Sequence, residues 1–210
     1  SPFIEKGEPI LSIHLSSKLS GVFQSALLAR SHFPGAMIEV VDSLQASFAL
    51  SILVIICAET ANRGASLSEV AHVAREIGPQ IETYFSVDSL EYLHRGGRIG
   101  KAQVFLGTLM KIKPLLKVMN GEVQPIEKIR TSERLLNRFV ELVELAAQEH
   151  SQLLMAVGES DNAEVMTDLL GRLERIPGIS LMFRGKLGGV ITSHAGPGAL
   201  GIAYVKNVLK

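Results

Sequence analysis

Apolar positions along the chain fall in two rhythms that meet at Gly78-Pro79. In the first part, Pro9 to Leu15 is a short apolar run with the length of a buried strand, and Met37 to Val41 is a second. Between them, Gly21 to about His32 reads as a helix, and a long helix then covers about Leu44 to Asn62. Its apolar residues lie all round, the character of a helix buried between layers. A further helix starts at Ser66, where Ser66 and Glu69 have the spacing of a reciprocal cap. Strand, helix, strand, helix is the order of a parallel sheet covered by helices.

Beyond Pro79, Ile81 to Val87 reads as a strand, and Asp88 with Glu91 is spaced to cap a short helix. Arg95-Gly96-Gly97-Arg98-Ile99-Gly100 breaks that helix, and another is expected from Lys101 to Met110. Pro114 to Met119 and Glu122 to Ile129 flank Asn120-Gly121, a strong two-residue hairpin signal. An amphipathic helix from about Ser132 to Gln148 puts Leu135, Phe139, Leu142 and Ala146 on one face. Leu153 to Val157 reads as a strand, Asn162 to Arg175 as a helix, and Ile179 to Arg184 as a strand. Two last strands are expected at Val190 to Ser193 and Ile202 to Val205. The predicted class is α/β in two lobes. Residues 1–78 form a parallel-sheet lobe with flanking helices, and residues 79–210 a second α/β lobe with a mixed or antiparallel sheet.

Composition narrows the class. Of 210 residues, 47% are hydrophobic and 20% charged, which is a packed globule rather than a disordered chain. Lys plus Arg and Asp plus Glu number 21 each, whereas a nucleic-acid module would carry a basic excess. Aromatics are 5% with no Trp, which argues against base-stacking or sugar-stacking platforms and leaves an aliphatic core. The single cysteine, Cys57, excludes an internal disulfide framework and fits a reducing compartment. Within an apolar run its thiol is expected to be buried and inert. That run, Ser43 to Ala58, has sixteen uncharged residues, short of the ~20 that span a bilayer. No basic-then-apolar leader opens the sequence, so a cytoplasmic protein without a transmembrane segment is expected.

Three polar constellations carry the candidate chemistry. Ser16-Ser17-Lys18-Leu19-Ser20-Gly21 lies between a strand and a helix, where exposed amides favour an anion; alternatively, Ser20 simply caps its own helix. Arg95-Gly96-Gly97-Arg98 combines a tight turn with two guanidiniums, fit to hold a carboxylate or phosphate or to stand solvated. His194-Ala195-Gly196-Pro197-Gly198 presents an imidazole on a rigid loop, for chemistry or for structure alone. The glycines match neither a Walker loop nor a dinucleotide fingerprint, so no nucleotide site is expected. There is no Gly-x-Ser-x-Gly elbow, no His-Glu-x-x-His and no cysteine pair, so neither a hydrolase elbow nor a metal is indicated.

In order along the chain, these segments resemble the DegV family of bacterial fatty-acid-binding proteins. The resemblance rests on Ile10 to Gly21 with Gln24-Ser25-Ala26, on Val41-Asp42-Ser43, and on Leu90-Glu91-Tyr92-Leu93-His94-Arg95-Gly96-Gly97-Arg98-Ile99. It continues through Ile112-Lys113-Pro114 to His194-Ala195-Gly196-Pro197-Gly198-Ala199-Leu200-Gly201. It implies one long-chain fatty acid bound between two lobes, as the only ligand and with no cofactor. It also implies that the protein is not itself an enzyme: it presents the carboxylate to an ATP-dependent kinase subunit, and the product is an acyl phosphate. By motif position, Ser20, with Gly21 beside it, is similar to the serine that hydrogen-bonds the carboxylate. Arg98, His194 and Arg130 are similar to residues around the transferred phosphoryl group. Family members also carry an amino-terminal segment with a Thr-Ser-Gln-Pro-Ser type loop. This sequence begins eight residues before its first strand, so its first lobe is expected to be incomplete by comparison.

Residue chemistry and resemblance converge on one mechanism. Burying a sixteen-carbon tail gains about 0.8 kcal/mol per methylene, roughly 12 kcal/mol before the costs of binding. A different class, a free-standing small phosphotransferase or hydrolase using His194 and Arg98, would turn over without a partner. A regulatory protein with a purely structural lipid would leave lipid handling unchanged on deletion.

Overall fold

A computed structural model describes residues 2–107 and 112–209. A short helix, α1 (Pro2–Glu5), precedes β1 (Ile10–His14), which pairs in parallel with β2 (Ile38–Asp42) across α2 (Val22–Ser31). β1 was expected to be buried, but every residue in it is only half-buried, because two strands alone leave both edges open. The apolar run becomes α3 (Ser47–Asn62), and α4 (Leu67–Ile77) follows with the expected cap. The Ser66 hydroxyl accepts the Glu69 N–H, and the Glu69 carboxylate accepts the Ser66 N–H at 2.7 Å. Such a cap is worth about 1 kcal/mol.

The second sheet has six strands in the order β5-β4-β3-β8-β6-β7. They are β3 (Glu82–Ser86), β4 (Lys113–Met119), β5 (Glu122–Ile129), β6 (Leu153–Ser160), β7 (Ile179–Lys186) and β8 (Ala199–Lys206). β6 and β7 pair in parallel, the other neighbours antiparallel, so the sheet is mixed. The hairpin at Asn120-Gly121 forms as expected, with both residues at positive φ, 52° and 80°. The remaining helices are α5 (Glu91–Arg95), α6 (Ser132–Glu149), α7 (Ala163–Leu173) and α8 (Gly189–Ala195).

Strand alternation divides the core. Leu115, Leu153, Met155 and Val157 face α6 and α7, meeting Leu135, Phe139, Val143 and Leu169. The opposite face carries two separate cores. Over β6 and β8, α3 and α4 pack Ile52, Leu53, Ile56 and Ala71 on Leu154, Ala156 and Ala203, and Val41 of the small sheet joins them. Over β3, β4 and β5, Leu90 and Leu93 of the α5 segment and Phe105 pack with Leu116 and Val123. α3 was expected to be buried all round, but it buries one face, Ala49, Ile52, Leu53, Ile56 and Cys57, on β6, β8 and α4, and leaves Val54 exposed, while α4 meets the small sheet. No described helix is long and apolar enough to cross a membrane.

Three further expectations need correction. Val190 to Ser193 is not a strand but the middle of α8, closed by Gly196 N–H donating to the Thr192 carbonyl at 2.8 Å. Its β-branched residues favour a strand locally, yet the segment packs on α5 and ends at Gly196 with φ 79°. The helix expected from Lys101 to Met110 is a 3₁₀ turn at Gly100–Phe105, and residues 108–111 lie outside the described residues. Asp88 does not cap α5; its carboxylate accepts from Lys113 at 2.6 Å, and the Ser89 hydroxyl accepts the Glu91 N–H.

Candidate functional site

The loop between β1 and α2 is held from several sides. Ser16 is fully buried; its hydroxyl donates to the Gly121 carbonyl at the hairpin tip (2.7 Å) and accepts the Lys18 N–H. Its own N–H donates to the Gln45 carbonyl at 2.8 Å, and the Ser17 N–H faces the Asp42 carboxylate. Lys18 pairs with Glu122 at 3.3 Å. The Gln45 amide is buried and satisfied on both sides: it donates to the Gly78 and Ile81 carbonyls and accepts the Thr83 hydroxyl. The sequence places Ser16 in the loop constellation but assigns it no role of its own, and it passes over Gln45. The one available signal was an amide inside an otherwise apolar run.

At the far end of this loop, Ser20 is half-buried and its oxygen accepts the Val22 N–H at 3.3 Å. This is a local serine turn ahead of α2, whose N-cap position is Gly21 with no side-chain cap bond, and the Ser20 hydroxyl keeps its own hydrogen to donate. Gly21 has open space where a side chain would stand. Arg98 reaches this loop: Nε donates to the Leu19 carbonyl at 2.9 Å, while Nη1 donates to the Gly96 carbonyl at 2.6 Å. Two backbone acceptors fix the plane of the guanidinium. Arg95, by contrast, is exposed and pairs with Glu91 at 2.6 Å.

His194 lies in the last turn of α8, and its Nδ1 is buried without a hydrogen-bond partner among the described residues. The imidazole rests against Gly96, inside the space that a β-carbon there would fill. The loop after it is fixed by two glycines at positive φ, Gly196 against the Tyr92 ring and Gly198 against the Asp88 carboxylate. Gly198 also donates its N–H to the Ser160 carbonyl at 2.6 Å. Gly96 thus joins Arg98 to His194, and Leu19 joins Arg98 to Ser20. Arg130 is not part of this chain of contacts. It is exposed just after β5, where Ile129 pairs with Lys113.

Beside these polar groups runs a seam between the two cores on that sheet face. Register aligns Phe85 with Gly201, Gly201 with Gly158, and Gly158 with Gly185, so three neighbouring strands lack side chains along one row. Half-buried Leu19, Phe85 and Leu187 line the margin of one core, Phe48 and Phe183 that of the other. This row is invisible without strand order and register. Elsewhere, burial pushes the Cys57 thiol up to about 11, as expected of an inert cysteine. Among the described residues, no group of three or more His, Cys, Asp or Glu is placed to hold a metal.

Fold and site define an α/β protein whose loops gather a hydroxyl, a guanidinium and an imidazole beside an apolar seam. The chain belongs to the DegV family: the family's model, described as "Uncharacterised protein, DegV family", matches residues 3–207. A DegV domain-containing protein of Streptomyces coelicolor is 35% identical over 198 residues, covering 92% of this chain and 68% of that protein. The structure of a DegV family protein from Thermus thermophilus, described for its fatty acid binding, superimposes with a TM-score of 0.89. It is 33% identical, covering 95% of this chain and 71% of the other. The structure of DegV of Bacillus subtilis, described as a fatty acid binding protein, gives 0.87 at 32% identity, covering 98% and 74%.

Proposed function

We propose that this protein binds one long-chain fatty acid between residues 1–78 and 79–210 and presents its carboxylate to a separate ATP-dependent kinase subunit. The observation that carries the reading is the row of Gly201, Gly158 and Gly185 between two apolar cores, one of which holds Leu19 beside Ser20 and the Arg98 contact. An alkyl chain fits a furrow with apolar walls, and an anionic head fits the donors at its end. The descriptions of the Thermus and Bacillus proteins as fatty-acid-binding support the same ligand.

In this reading the Ser20 hydroxyl donates to the carboxylate above Gly21. Arg98 holds the head by its remaining N–H groups, and His194 orients it or meets the transferring phosphoryl group. Arg130 meets that group from outside. A carboxylate oxygen attacks the γ-phosphorus of ATP on the kinase, and the bond to the bridging oxygen breaks to release ADP. An acyl phosphate is left. The protein works in the cytoplasm, consistent with its single reduced cysteine.

The test is denaturing extraction of the purified protein, followed by mass spectrometry of the released lipid. One equivalent of fatty acid is expected. Acyl phosphate should form only when a kinase subunit and ATP are added. No retained or re-bindable fatty acid, or phosphoryl transfer by the protein alone, overturns the reading.

A further inference from the structure

We infer that Phe48, together with Leu187, forms the end wall of the acyl channel and sets the length of chain the protein prefers; this rests on the fatty-acid reading above. The row Gly201–Gly158–Gly185 spans three adjacent strands, about 10 Å at the usual strand spacing. Its floor is not equally open. Above Gly201 the three atoms nearest a β-carbon are backbone and β-carbon atoms of β3 at 3.1 to 3.8 Å, and above Gly185 there is nothing within 4 Å among the described residues. Above Gly158 the Phe48 ring and the Leu187 side chain converge, at 2.5 and 2.8 Å from the position a β-carbon would take. The row is therefore covered in its middle by two apolar side chains lying directly on bare backbone.

Both side chains are fixed. Phe48 stacks on Phe183 with ring centroids 6.1 Å apart and planes within 5°. It sits in the first turn of α3, immediately after Ser47 at φ 54° and close to the anchored Gln45. Leu187 is tied at both ends of its peptide, its N–H donating to the Glu159 carbonyl and its carbonyl accepting the Thr192 hydroxyl. A chain entering from the Ser20 side runs over Gly201 and stops at this wall. The open floor at Gly185 lies beyond it. Removing the Phe48 ring joins the two stretches of floor, whereas a side chain at Gly201 shortens the first.

The experiment measures affinities of the delipidated full chain for tetradecanoic, hexadecanoic, octadecanoic and eicosanoic acids. Phe48→Ala should raise the affinity ratio of each longer acid to the one two carbons shorter by about tenfold beyond the wild-type optimum, the value of two more buried methylenes. Phe48→Leu, which keeps an apolar contact, should move the ratio in the same direction by less, and Gly201→Val should move it oppositely. Binding that persists with an unchanged length preference in Phe48→Leu and Gly201→Val overturns the end wall, even if Phe48→Ala fails to fold. Failure of the wild type to bind any of the four acids overturns instead the ligand reading on which the wall depends.

Discussion

The His194 imidazole occupies the space that a side chain on Gly96 would need, while the carbonyl of the same glycine accepts from Arg98. Gly96→Ala should therefore swing the ring aside and cost about 1–3 kcal/mol, as overpacking does. Gly97→Ala makes a useful comparison. Gly97 has φ 69° and open space around it, so the substitution strains the backbone without touching His194. Melting temperature and partner-dependent transfer, measured on both, should show stability loss in each and transfer loss mainly in Gly96→Ala.

Arg98 behaves as a brace as well as a charge. Its Nε and Nη1 bonds tie the Arg95–Arg98 turn to the loop that carries Ser20. A lysine can reach one of those carbonyls but cannot serve both in the planar geometry of a guanidinium. Arg98→Lys should keep the charge yet weaken fatty-acid affinity about tenfold, as should Ser20→Ala through the loss of one bond to a charged group. Titration calorimetry on both variants checks this; wild-type affinity in Arg98→Lys would leave only the charge in play.

Gln45 is the polar rivet between the β2–α3 loop and β3. Gln45→Leu takes the amide partner from the Ile81 carbonyl and the Thr83 hydroxyl, while the Gly78 carbonyl keeps the Ile81 N–H, so a loss of about 2 kcal/mol is expected. Urea denaturation gives the number. Thr83→Val, which removes one partner and leaves the amide two, should cost clearly less.

Cys57 supplies a pH prediction. Burial raises its folded value to about 11 from an ordinary value near 9, so above pH 9 the unfolded chain releases the proton first. Its contribution to stability is complete below about pH 9 and is lost as pH rises toward 11. Cys57→Ala should flatten that part of the alkaline stability curve. Alkylation of the native protein at pH 8 should be slow, and fast once urea is added.

Much of the fold is legible where one residue type has a local reason. Asn120-Gly121 makes its turn because both residues tolerate positive φ, and Ser66 with Glu69 caps α4 because the bonds span only one turn. The Val190 to Ser193 segment misleads because its β-branched side chains speak for a strand while its packing on α5 decides for a helix. In the site, the grouping of Ser20, Arg98 and His194 follows from the family's ordered motifs, but what joins them does not. The joints are a leucine carbonyl and a glycine without a β-carbon, and neither carries a chemical signature in sequence. Gly158, Gly185 and Gly201 read as isolated glycines until register sets them side by side.

β8 lies between β3 and β6, so the strand synthesised after all its partners fills the middle of the sheet. Without residues 199–206, β5-β4-β3 and β6-β7 have no strand to join them and each keeps an unpaired edge facing the gap. Strand edges left open in this way are templates for pairing with other chains, and closure across so long a sequence separation is slow. The gap also lacks Gly201, and with it part of the floor on which the proposed ligand rests. A chain cut before Ala199 should therefore be prone to associate through its open strand edges and, on the proposed reading, fail to retain a fatty acid.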